Sequence, residues 1–114
     1  MMDFLTQILH DTIVECGDDY VGLWVIVKLI RDKKTLSDST VFSYSMEIVE
    51  HILEHPEIVA GQYEGDEFRE WDMPKDKIIE RIEREWAALG RDPTLGEIVW
   101  FVGAWARRLG YAFN

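Results

Sequence analysis

Apolar residues recur at intervals of three and four in three successive stretches of this chain before any strand-like run appears, and that ordering constrains the fold most. Over residues 3–16, Leu5, Ile8, Leu9, Thr12, Ile13 and Cys16 share one helical face, and Gly17 ends the pattern. Asp18 and Asp19 are N-cap residues for a second helix reaching Asp32, with Leu23, Trp24, Val27 and Ile30 on its apolar side. Its β-branched content also fits a strand. The smooth passage into Lys28, Arg31 and Asp32 favours the helix. After a polar connector over residues 33–39, Ser39 or Thr40 caps a third helix over residues 40–55. Its stripe is Val41, Met46 (or Tyr44), Ile48, Val49, Ile52 and Leu53, and Pro56 stops it.

The pattern then changes. Two short β-compatible runs, 58–63 and 68–71, flank Glu64-Gly65-Asp66-Glu67, which predicts a hairpin. Asp72 is placed to cap a fourth helix with Pro74 in its first turn. That helix buries Ile78, Ile79, Ile82, Trp86 and Leu89, carries Glu80–Arg84 and Arg81–Glu85 as pairs of opposite sign, and closes at Gly90. Thr94-Leu95-Gly96-Glu97 has the form of a capping box, and residues 95–109 fit a helix. The β-branched and aromatic run 98–102 fits a buried strand better, followed by a terminal helix through Arg107 and Arg108. The expected fold is an α+β, helix-rich single domain over residues 1–114. Three helices, a hairpin, a helix, a short strand and a terminal helix give it a winged-helix-like outline, in which the last strand can lie beside the hairpin.

Apolar residues make up 47% of the chain, five Trp among them, so a core can form without covalent staples. Cys16 is the only cysteine; it fits a reducing, cytoplasmic setting and the role of a small buried hydrophobe. The first fifteen residues have no basic stretch and carry Asp3, Asp11 and Glu15, unlike a secretory signal. The uncharged runs 20–27 and 98–106 fall short of the ~20 residues a membrane-spanning helix needs, so a soluble protein is expected. Charge is localised. Between positions 47 and 72, nine carboxylates face the single Arg69, a net of −8 out of −10 for the whole chain. Such a field repels phosphate backbones and attracts basic partners, or serves as a solvated face.

The run RIEREWAALGRDPTLGEIVWF, ending at Phe101, has the form E-W-x-x-L-G-R-x-P followed by G-(D/E)-I-x-W-F. It resembles a segment recurring in small uncharacterised bacterial proteins. The hairpin residues Phe68 and Trp71 and the stretch from Asp19 to Trp24 look like parts of the same pattern, so the likeness spans most of the chain after residue 18. The resemblance implies no established activity. It implies an immunity-type partner of a toxin as a function to test, and a packing role for Trp86, Trp100 and Phe101.

One short run has catalytic form. His51-Ile52-Leu53-Glu54-His55 matches H-x-x-E-H, in which two histidines one helical turn apart ligate zinc and the glutamate serves as general base. Such peptidases also need a third ligand from a distant helix and a substrate cleft, for which this chain has little room; adventitious zinc or nickel binding fits the two histidines better than catalysis does. His10 and Cys16 lie on different turns of the first helix and read as a surface imidazole and a buried thiol. The chain has no G-x-S-x-G, Walker A, G-x-G-x-x-G or C-x-x-C motif.

The reading that follows is a non-enzymatic, acidic interaction module without a cofactor. It docks a basic protein partner through Glu47, Glu50, Glu54, Glu64, Glu67 and Glu70, as an immunity-type inhibitor of a basic toxin would. The alternatives are a winged-helix transcriptional regulator and a metal-dependent hydrolase using His51, Glu54 and His55. The first runs against the absence of Lys and Arg from the third helix, since DNA contact draws on released counterions.

Overall fold

Residues 3–104 are described by a computed structural model. Helix α1 (Asp3–Cys16) buries Leu5, Ile8, Thr12 and Cys16, and the Thr12 hydroxyl donates to the Ile8 carbonyl at 2.7 Å. The chain then turns: the N–H of Gly17 bonds to Val14, and those of Asp18 and Asp19 bond to Glu15. The two aspartates therefore do not cap the next helix. A strand not foreseen from the residues, β1 (Val21–Gly22), comes first, and α2 (Leu23–Lys33) starts directly after it with Gly22 as N-cap. Its buried face is Leu23, Ile26, Val27 and Ile30, with Trp24 half-buried beside it.

Helix α3 (Asp38–Leu53) begins earlier than expected, because Ser37 is the cap rather than Ser39 or Thr40. The Ser37 hydroxyl accepts from the Thr40 N–H at 3.2 Å and donates to the Thr40 hydroxyl at 2.8 Å. Ser37→Ala is expected to lower stability by about 1 kcal/mol in urea unfolding, the usual loss for a serine cap. No change would show that the cap is not formed. The helix buries Val41, Ser45, Met46, Ile48, Val49 and Ile52 and ends one residue before Glu54.

Strands β2 (Ile58–Glu64) and β3 (Glu67–Glu70) form the expected hairpin. Gly65 takes the first loop position with φ 64°, and Asp66 does not have positive φ, the pattern of a II′ turn. Helix α4 (Lys75–Leu89) starts after Pro74 and buries Ile78, Ile82 and Trp86. Asp72 does not cap it: the Met73 N–H instead bonds back to the Trp71 carbonyl at 3.0 Å. Gly90 closes α4 in the left-handed region at φ 69°, its N–H bonded to Trp86. Arg81 bonds to Glu85 at 2.6 Å and lies over the Trp71 ring, 3.9 Å from its centroid. Glu80 pairs with Lys77 at 3.5 Å rather than with Arg84.

Strand β4 (Trp100–Gly103) starts two residues later than position 98, since Ile98 has φ 71°. The sheet order is β1-β4-β2-β3, antiparallel throughout, so the last strand does lie beside the hairpin. Its helix-facing side carries Val21, Ile58, Ala60 and Phe101, which join the helical residues in one core. The opposite side carries a smaller cluster of Phe68 and Val102 with Tyr20, Val59, Tyr63 and Trp100. The described residues thus form an α+β unit of α-helices α1–α4 on one face of a four-stranded antiparallel sheet. None of their helices is long and apolar enough to cross a membrane. The expected terminal helix, with Arg107 and Arg108, lies outside the described residues.

Candidate functional site

The structure divides the six carboxylates singled out above. Glu47, Glu50 and Glu54 stand at i, i+3 and i+7 along α3 and its C-cap and so share a stripe, Glu47 half-buried and the other two exposed. Glu64 and Glu67 face each other across the hairpin, and Arg69 reaches both, at 3.5 and 3.3 Å. Glu70 pairs with Gly61 in the ladder, which puts it on the other face of the sheet from Glu64 and Glu67. The hairpin therefore does not present its three glutamates as one surface.

On α3 the stripe is only partly neutralised. Glu54 contacts Lys75 at 3.8 Å and accepts from His51 Nδ1 at 2.9 Å. Glu47 and Glu50 have no ion pair among the described residues, and neither do Glu57, Asp66 and Asp72. Salt bridges this exposed contribute ~0–1 kcal/mol each, so Arg69 and Lys75 reduce the local field without removing it.

The H-x-x-E-H run does not keep helical geometry. Helix α3 ends at Leu53 with Glu54 as its C-cap, and His55 follows in a turn, its N–H bonded to Ile52 at 3.0 Å. The one-turn spacing that would aim His51 and His55 at a common ion holds only inside a helix. His51 is already turned to Glu54. Among the described residues no group of three or more His, Cys, Asp or Glu side chains is arranged to hold a metal ion. Cys16 is fully buried, and that burial, with Glu15 nearby, pushes its thiol up to about 12, far from a reactive thiolate; His10 is exposed.

A different constellation holds the segment between α4 and β4. Arg31 on α2 donates Nε to Asp92 Oδ2 at 2.5 Å and one terminal nitrogen to Asp92 and Asp38, at 3.1 and 2.9 Å. These bonds raise the Arg31 pKa further, Asp92 contributing most. They tie α2, the start of α3 and the loop after α4 together at the mouth of a cleft of about 680 Å³ walled by Phe42 and Trp86. Next to Asp92, Arg91 grips Glu97, six residues further along, with two bonds of 2.7 and 2.9 Å. The Thr94 N–H and hydroxyl both donate to Glu97 Oε1, at 2.7 and 2.8 Å.

Of the capping box foreseen at Thr94 and Glu97 only one half forms, the Glu97 carboxylate on the Thr94 N–H, and it forms on a turn instead of a helix; the Glu97 N–H bonds to the Thr94 carbonyl at 3.0 Å and not to the hydroxyl. Gly96 at φ 80° and Ile98 at φ 71° are incompatible with helix. The Val99 N–H closes a γ-turn onto the Glu97 carbonyl at 2.9 Å around Ile98. A β-branched residue there costs roughly 1–3 kcal/mol of strain, which the surrounding bonds and the burial of Ile98 offset. Leu95, at the tip of this turn, is 70% exposed.

Arg91, then the backbone and hydroxyl of Thr94, hold the Glu97 carboxyl at about 2, below its ordinary value of 4.5. A depressed carboxyl stabilises the fold above its unfolded pKa and loses that contribution as pH falls towards its folded one. Wild type should therefore melt above Glu97→Gln at neutral pH, the gap narrowing below pH 4.5 and closing near pH 2. A gap that stays constant across that range in thermal scans would refute the braced turn.

No family model, curated protein or solved structure matches this chain.

Proposed function

We propose that this protein is a non-enzymatic interaction module that docks a basic protein partner through the acidic stripe of α3, with the hairpin carboxylates extending the field. One observation carries the reading: α3 holds no Lys or Arg, and Glu47 and Glu50 on its stripe meet no cation among the described residues. A surface left unneutralised in this way raises the encounter rate with a positive partner and disfavours nucleic acid. An immunity-type inhibitor fits, because a toxin acting on nucleic acid needs a positive groove that such a stripe can fill. A winged-helix-like reading of the fold belongs with it, supported by the run of α1, α2 and α3 followed by the two-stranded hairpin. Cytoplasmic residence is likewise part of the reading, supported by the lone, buried thiol of Cys16.

The test uses Glu47→Lys/Glu50→Lys/Glu54→Lys and a basic partner recovered from the native host and purified. Stopped-flow association at low salt should slow by roughly 10-fold or more, the difference shrinking as salt is added. Unchanged melting establishes that the variant is folded. Equal rates for the variant and wild type at low salt would overturn the proposal.

A further inference from the structure

We draw no further inference here: the strongest candidate, the aromatic patch of Tyr20, Tyr63, Phe68 and Trp100 around Val102 on the sheet face turned away from the helices, carries nothing because nothing in the structure shows what covers it.

Discussion

Gly61→Val is expected to destabilise the fold by upward of about 3 kcal/mol, the top of the range for overpacked sites. A Cβ at this position would press on the Arg69 carbonyl oxygen, 2.7 Å from Phe68 Cζ and 2.9 Å from Glu70 Cα. Two of those three obstacles are backbone atoms, so no rotamer change relieves the clash. The ladder explains the crowding. The Trp71 N–H bonds to the Ala60 carbonyl at 2.8 Å, which makes Gly61 and Glu70 the adjoining pair without hydrogen bonds, where strands approach most closely. Gly65 is the control. It has φ 64° and nothing within 4 Å of a Cβ, so Gly65→Ala should lose only the ~1–3 kcal/mol of a non-glycine residue held at positive φ. Urea midpoints for the two variants decide the matter. A Gly61→Val protein no less stable than Gly65→Ala would mean that β3 does not lie as close to β2 as described.

Where the residues carried a period, the fold was legible. The faces of α1, α3 and α4 follow from apolar spacing, and Gly65 and Gly90 mark a turn and a helix end through positive φ. What escaped depends on contacts distant in the chain. Val21–Gly22 is too short to show alternation and is a strand only because β4 pairs with it, Val21 to Phe101 and Gly22 to Trp100. The same pairing displaced the start of α2: Leu23 donates its N–H to Val99 at 3.2 Å, so the helix begins where the chain leaves the sheet and not at an aspartate. Capping residues were ambiguous for a local reason. Asp19, Asp72 and Thr94 each make or border tight turns, and side chains that cap helices also stabilise turns.

The candidate site was legible to a lesser degree. The three glutamates of α3 could be placed on one stripe from spacing alone, and they share it. The hairpin could not be settled that way. The residues alone place Glu67 in the turn; with β3 starting at Glu67 and not at Phe68, it and Glu70 stand an odd number of residues apart in one strand and point to opposite faces. The H-x-x-E-H reading assumed a helix through position 55, but α3 ends two residues short of it. The bonds from Arg31 to Asp92 span 61 positions and leave no local signal. Arg91 and Glu97, by contrast, both fall in the run whose resemblance drew attention, and their mutual grip gives those residues a structural use.

Phe101→Ala is expected to remove about 3–5 kcal/mol, the loss seen when a buried aromatic becomes alanine and the space is not refilled. Phe101 is fully buried and central: its strand lies between β1 and β2, and its cross-strand neighbours are Val21 and Ala60. Ala60 is too small to fill the gap from one side, and the helices fix the other, so collapse of the cavity is limited. Against a typical total of ~5–15 kcal/mol, that loss leaves a marginal fold. Phe101→Leu, which keeps an apolar side chain of nearer volume, should cost less than about 1.5 kcal/mol. Trp100 tests the direction of the face. It is the adjoining residue and a larger one, yet it points to the opposite side and is only half-buried, with its ring at 6.2 Å from that of Tyr63. Trp100→Ala should therefore lower the urea midpoint less than Phe101→Ala at an unchanged m-value. If the tryptophan proved the costlier loss, the helices would not be packing on the side of β4 that carries Phe101, and the assignment of the two sheet faces would be reversed.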